Sequence, residues 1–219
     1  MTRRKLIPEM EGPVARWYAR QRGSAPQRAT YRRQAAALVA GLPAGAPVLE
    51  VAPGPGYLSV EIAQLGHPVS ALDISRAFVA IVADNARAAG VTVDVRHGDV
   101  AAMPFASGSF DLVVCQAAFK NFTDPVRALD EMHRVLRPGG VAVIQDMNRG
   151  ATTADIRAEV SGMRLGRLDS AMIRATLHGL RRRAYAPAAF ETVAAASAFG
   201  RADTHANGIT LEVRLAKPA

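Results

Sequence analysis

Cysteine is almost missing from this chain of 219 residues: Cys115 stands alone. An internal disulfide is therefore excluded, and a reducing compartment is expected. No run of 18 apolar residues occurs, so no membrane-spanning helix is expected. The opening residues M-T-R-R-K-L-I-P-E-M-E-G are basic but lack the apolar stretch of a secretory leader. These absences together point to a cytoplasmic protein. No internal repeat, low-complexity tract or second domain boundary is found, so a single domain over 1–219 is expected. Cysteines, histidines and carboxylates nowhere fall at metal-ligand spacing, and no metal is expected. Lysine is scarce as well, with only Lys5, Lys120 and Lys217.

The basic charge is thus mostly arginine, and it is unevenly placed. The chain carries a formal +8, of which 1–33 hold a net +7, 34–150 a net −3 and 151–183 a net +4. Two readings stay open: attraction of an anionic substrate or nucleic acid, or a solvated arginine-rich surface. A hydrophobic content of 49% against 21% charged residues is globular rather than disordered.

The chain is organised around P-V-L-E-V-A-P-G-P-G-Y-L-S at 47–59. An apolar run (Val48, Leu49, Val51) enters a turn of Ala52, Pro53, Gly54, Pro55 and Gly56. A helical pattern follows (Leu58, Val60, Ile62, Ala63, Leu65). Glycine lets backbone approach a ligand closely, and the helix points its N–H groups and positive dipole end at the same place. Alanine at 52 does not readily take the positive φ such a turn uses, and the two prolines stiffen it. A second strand, 67–75, ends in Asp73, 19 residues after Gly54. That is near the spacing expected between a glycine turn and an acid that binds a ribose.

Before this core, 1–46 read as a helical cap, with Val14, Trp17 and Tyr18 as one stripe, whose aromatics either cover the ligand or dock the cap, and Tyr31, Ala35, Leu38 and Val39 as an inward one. After it, Ser75 is placed to cap a helix that Gly90 stops. V-T-V-D-V-R at 91–96 reads as a third strand and the apolar 110–119 as a central fourth. Asp124 and Pro125 open a helix to 136, which R-P-G-G ends, and 140–149 form a fifth strand. Residues 151–184 break the rhythm with helical stretches near 153–164 and 168–183. Residues 185–219 supply a last helix and an alternating strand, 209–215, suited to a sheet edge. His133 is expected at the surface.

Four landmarks then occur in order: E-V-A-P-G-P-G, the strand-end Asp73, H-G-D-V-A-A-M-P-F with F-D-L-V-V-C, and R-V-L-R-P-G-G. With them the chain resembles the class I S-adenosylmethionine-dependent methyltransferases. It is most similar to the small-molecule group that includes the ubiquinone and menaquinone C-methyltransferases. The resemblance spans about 47–147. It implies an α/β fold, a doubly wound, mostly parallel seven-stranded sheet. The cofactor core would be 47–150, the helical cap 1–46, and a helical insert or lid would follow the fifth strand at 151–184.

The resemblance also implies roles. Glu50 would help to hold the methionine amino group, often through water. Ala52, Gly54 and Gly56 would let the chain pass close to S-adenosylmethionine. Asp73 would accept from the ribose hydroxyls, and Ile74 would pack on the adenine. Asp99 would accept from the adenine amino group while the Val100 N–H reaches the ring. Gln116 and Ala117 would line the methionine end. A dehydrogenase on the same fold would want a third glycine where Ser59 stands. The Asn/Asp-Pro-Pro-aromatic turn of base-amino methylases is replaced by Gln116-Ala117-Ala118-Phe119. That counts against nucleic acid as the partner.

Methyl transfer needs alignment more than acid–base chemistry, so a general base is optional. Lys120, Asn121 and Asp146 are the catalytic candidates, all near strand ends on the cofactor side. Lys120 is read either as a base or anion holder, or as one half of a salt bridge with Asp146 or Asp124. The cap and the arginine-rich insert are expected to build the acceptor pocket, for a small, partly apolar molecule, with a carboxylate or phosphate on it as the open alternative. An RNA methyltransferase and a non-catalytic S-adenosylmethionine-binding protein are the alternatives. A monomer or homodimer is expected.

Overall fold

The computed structural model describes residues 10–163 and 166–219. The basic start with Lys5 and Pro8, and Arg164 and Leu165 of the insert, lie outside the described residues.

Period-two burial builds the sheet. In β1 (Val48–Val51) Leu49 and Val51 enter one apolar cluster while Val48 enters another. In β4 (Phe110–Gln116) Val113 and Cys115 join the first cluster, Leu112 and Val114 the second. Alternate side chains of a strand point to opposite faces, so both strands are covered on both sides and stay apolar throughout. With β2 (Val69–Asp73), β3 (Val93–His97), β5 (Leu136–Met147), β6 (Asp203–Asn207) and β7 (Thr210–Ala216), the sheet order is β3-β2-β1-β4-β5-β7-β6. The first five strands are parallel, and β7 runs antiparallel to β5 and β6.

Helices α2 (Ala25–Val39) and α3 (Tyr57–Gln64) cover one face through Tyr31, Ala35, Leu58 and Ile62. Helices α5 (Pro125–Val135) and α8 (Pro187–Ala195) cover the other through Leu129, Met132, Phe190 and Ala194. In α5 the buried residues Pro125, Ala128, Leu129, Met132 and Val135 keep the helical period, and Asp124 caps it by accepting from the Arg127 N–H. α4 (Arg76–Ala88) follows β2, and the insert forms α6 (Thr153–Gly162) and α7 (Arg167–Arg181). No described helix is long and apolar enough to cross a membrane.

Several expectations are corrected. In α1 (Gly12–Arg22) the buried residues are Ala15 and Ala19, whereas Val14 and Trp17 are exposed. Small side chains let this helix lie close; Trp17 is turned outward, whereas Tyr18 meets Phe78 edge-on, ring centroids 6.0 Å apart. Within α2 the Thr30 hydroxyl donates to the Pro26 carbonyl at 3.1 Å. R-P-G-G does not merely end α5. It lies inside β5, at a register break between the Phe110–Leu136 and Leu112–Val141 pairs. β7 is not the edge strand; β6, polar and largely exposed, takes that place. His133 is half-buried and packs edge-on against Phe199, ring centroids 5.0 Å apart.

Candidate active site

Beyond the carboxyl ends of β1, β2 and β4 lies a cavity of about 420 Å³. Such a position is where open α/β sheets take ligands. Glu50 and Val51 of β1 reach it, and the following Ala52, Pro53, Gly54 and Pro55 form one wall. Ala52 does take the left-handed backbone, with φ 54°, and Gly54 shares that value. The alanine is held there by its N–H, which donates to the Leu72 carbonyl at 2.8 Å. Gly56 is not among the lining residues. Its φ is 74°, and a Cβ there would lie 2.7 Å from both Val82 methyls. It serves the packing of α3 on α4.

The end of β2 supplies the second wall, with Asp73, Ile74 and Ser75. Asp73 is buried and accepts from the Ser75 N–H at 2.9 Å and the Gly54 N–H at 3.3 Å. Burial pushes its pKa up to about 6, against the pull of those two N–H groups. Glu50 is buried too and accepts from the Ser59 hydroxyl. Burial raises it to about 7 despite that bond. Two buried carboxylates therefore face one cavity with their charges poorly compensated, an arrangement that suits donor groups on a ligand.

Asp99 follows β3 and lines the cavity with Val100 and Ala101. Its Oδ1 accepts from the Ala101 N–H at 2.9 Å, and Oδ2 has no protein partner among the described residues. At the end of β4 come Gln116, Ala117 with φ 55°, and Ala118. Here a relay sets an amide. Glu212 accepts from Gln145 Nε2 at 2.8 Å, and Gln145 Oε1 accepts from Gln116 Nε2 at 2.7 Å. A carboxylate only accepts, so both amides are oriented and Gln116 keeps its Oε1 free to accept. Burial raises Glu212, but the bonds from Gln145 and Arg214 outweigh it and hold the carboxyl below its usual range.

Lys120 and Asp146 are placed differently from expectation. Neither lines the cavity. Lys120 Nζ lies 2.7 Å from Asp146 Oδ1 and also donates to the Ala117 carbonyl, and its backbone N–H donates to Asp146 Oδ2 at 2.9 Å. Both side chains are buried, so the pair ties the end of β4 to β5. The salt-bridge alternative is the one the geometry realises. Asn121 does line the cavity, beside Phe122, Thr123 and Asp124.

The cap closes the remaining side. Ser75 Oγ accepts from the Phe78 N–H and donates to the Met10 carbonyl at 2.7 Å. The Glu11 carboxylate accepts from the Arg76 and Ala77 N–H groups at 2.9 and 3.1 Å, capping α4 from another segment. The Tyr57 hydroxyl donates to the Ala19 carbonyl at 3.0 Å. So anchored, α1 brings Tyr18 and Arg22 to the cavity. The Arg22 guanidinium sits 5.9 Å from the Tyr18 ring centre and 5.8 Å from that of Tyr31. Its Nε is buried without a hydrogen-bond partner among the described residues. Sequence reasoning missed Arg22; its one signal is the i, i+4 spacing from Tyr18. The insert was expected beside the cap, but no residue of α6 or α7 lines this cavity.

Residues 49–144 match the family described as a methyltransferase domain. That stretch runs from β1 into β5 and carries the cavity walls from Glu50 to Asp124, but neither the cap nor the insert. A demethylmenaquinone methyltransferase of Thermus thermophilus is 36% identical over 99 residues, 44% of this chain and 45% of that protein. A ubiquinone biosynthesis O-methyltransferase of Xanthomonas axonopodis is 35% identical over 108 residues, 49% of this chain and 45% of that protein. The match thus spans less than half the length of these curated relatives. Among solved structures, a candidate S-adenosyl-L-methionine-dependent methyltransferase of Methanococcus maripaludis superposes with a TM-score of 0.74. It is 18% identical, covering 99% of this chain and 97% of that one, and it shares the fold.

Proposed function

Residues 49–144 carry a methyltransferase domain, and from that premise we propose that the chain is an S-adenosylmethionine-dependent methyltransferase acting on a small molecule at O, C or N. The observation that carries the proposal is the donor set of the cavity. Two buried carboxylates face one volume, with a carboxylate oxygen and an arginine Nε that have no partner among the described residues. An adenosyl amino acid brings the matching groups: hydroxyls, an amine, an ammonium and a carboxylate. When bound, the cofactor would supply an electrophilic methyl on a sulfonium.

Asp73 would accept from the ribose hydroxyls, in place of its long bond from Gly54. Ile74 and Val100 would enclose the adenine, and Asp99 Oδ2 would accept from its amino group. Glu50 and Gln116 Oε1 would take the ammonium, and Arg22 the carboxylate. Ala52, Gly54 and Ala117 allow close approach without bulk. The acceptor would enter on the side of Asn121, Phe122 and Thr123, where Asn121 can orient a polar group against the Phe122 ring. The chain's part in the reaction is alignment and the exclusion of water. Lys120 and Asp146 would act by holding Ala117 and the β4 end in place.

Two of the similar proteins are named for quinone synthesis, which supports an aromatic or quinone-like acceptor as the first class to try. Calorimetric titration with S-adenosylmethionine and S-adenosylhomocysteine tests the cofactor, with Asp73→Ala as the control. Transfer of labelled methyl into the small-molecule fraction of a cell extract tests the acceptor. Absence of binding, or label found only in RNA, defeats the proposal.

A further inference from the structure

Helix α7 is apolar on two sides. Ile173, Leu177 and Leu180 lie half-buried on its inner side, and Leu177 packs against Met147, Ile156 and Ala184. Leu168, Met172 and Ala175 follow one another at i, i+4 and i+7 on the outer side, with Leu168 87% and Met172 63% exposed. None of the helix's 15 residues is buried. A stripe of this kind exposes apolar surface without adding to the core.

Beside the stripe is a groove between α6 and α7, lined by Arg157, Arg167 and Arg174 with Leu168 among them. Among the described residues none of these arginines has a carboxylate within ion-pair distance. Residues 151–183 carry a net +4. Apolar side chains bordered by these arginines match an interface that is oily inside and anionic outside. We propose that α6 and α7 seat the protein on an anionic phospholipid surface. Leu168 and Met172 enter the headgroup boundary, and the three arginines hold lipid phosphates.

Charge and composition favour this occupant. A second copy of the same face would set arginine against arginine. A nucleic acid is held by basic groups interleaved with stacking aromatics, and neither α6 nor α7 contains Phe, Tyr or Trp. The proposal is independent of the cavity's ligand, since no residue of α6 or α7 lines it.

The test is flotation of the full chain with two vesicle types, phosphatidylcholine alone and phosphatidylcholine mixed with phosphatidylglycerol. The chain is expected to float with the mixed vesicles only, and less as salt rises. Each of Arg157→Gln, Arg167→Gln and Arg174→Gln should weaken partition about five-fold. Leu168→Ser with Met172→Ser should weaken it without removing the salt dependence. Melting temperatures should stay put, because these side chains are exposed; were the double variant to melt early, the arginine series still decides. No flotation with anionic vesicles, or variants that float like the parent, overturns the proposal. So does retention on single-stranded RNA without vesicle binding, or a concentration-dependent dimer that Leu168→Ser with Met172→Ser abolishes.

Discussion

The Gly54 N–H meets the Asp73 carboxylate across the mouth of the cavity, 3.3 Å from Oδ2. The bond joins the turn after β1 to the end of β2 and is long enough to be replaced by a ligand hydroxyl. Burial lifts Asp73 to about 6 from 3.8. The folded protein thus binds a proton that the unfolded chain releases. Stability without ligand should fall as pH rises from about 4 to about 6 and stay lowered above, by on the order of 3 kcal/mol for this group. Asp73→Asn should therefore raise the urea midpoint of the free protein at pH 8. The same change should weaken S-adenosylhomocysteine about 10- to 100-fold, the worth of hydrogen bonds to a charged group. Denaturation across pH, beside calorimetry, checks both directions.

Ala52 and Ala117 end neighbouring parallel strands with φ of 54° and 55°, and both line the cavity. A left-handed alanine costs roughly 1–2 kcal/mol, whereas glycine in the unfolded chain costs up to ~1 kcal/mol of entropy. Ala52→Gly and Ala117→Gly should each be neutral to stabilising, by up to about 1 kcal/mol. Gly56→Ala should do the reverse. Its φ of 74° and the buried Val82 methyls combine strain with overpacking, for a loss of about 2–5 kcal/mol. Chemical denaturation of the three variants is the measurement.

Lys120 and Asp146 have side chains 5% and 8% exposed, and the lysine also serves the Ala117 carbonyl. Removing one member of a buried pair leaves the other charge unpaired, which costs about 3–5 kcal/mol. Lys120→Ala should therefore melt far earlier than the parent. The double change Lys120→Met with Asp146→Asn should recover most of the loss, since it removes both charges and keeps an oxygen to accept from the residue 120 N–H. Recovery of stability with cofactor affinity near the parent's would fix the pair as a positioning device. Lost affinity at full stability would return Lys120 to the chemistry.

Glu50 gives the pH profile its lower limb. Burial holds it near 7, and only its ionised form can pair with a ligand ammonium. Affinity for S-adenosylhomocysteine should rise by up to about tenfold per pH unit as pH approaches 7 from below, with proton release. A peptide's α-amino group titrates at about 7.7–8.0, and the ligand's ammonium, beside its own carboxylate, titrates higher, so affinity should turn down only well above that range. Glu50→Gln should flatten the part of the lower limb near pH 7 and leave the part below about pH 6, which Asp73 sets. Calorimetry in buffers of different ionisation heat reports the proton directly.

The parts of this site that the sequence shows are those set by local rules. β1, its turn and β2 read clearly because apolar runs, small residues and a strand-end acid each have a short-range cause. β6 does not: Asp203–Asn207 is polar and becomes a strand only through pairing with β7. Its addition moves β7 from the edge to the interior. In α1 the large aromatic at 17 draws the eye, but Ala15 and Ala19 face inward because small residues permit close approach. That rotation turns Arg22 toward the cavity. The insert shows the opposite limit. Its arginines are plain in composition, but composition does not tell which surface a helix pair covers, and Arg157, Arg167 and Arg174 line a groove of their own.

Arg22 supplies the most selective test of the ligand's orientation. It reaches the cavity from the cap, sandwiched near Tyr18 and Tyr31, with Nε unsatisfied among the described residues. A buried donor without a partner is costly, so a ligand that pairs with it gains more than a surface contact would. A carboxylate is the fitting partner, because it can take two guanidinium N–H groups at once. Arg22→Ala should weaken S-adenosylhomocysteine about 10- to 100-fold. Binding of 5′-methylthioadenosine, which has the same adenosine but no amino acid, should change little. Arg22→Lys should restore only part of the loss, since an ammonium lacks the planar fork. Equal losses for the two ligands would mean that Arg22 shapes the cap rather than grips the carboxylate, and the proposed orientation would fail with it.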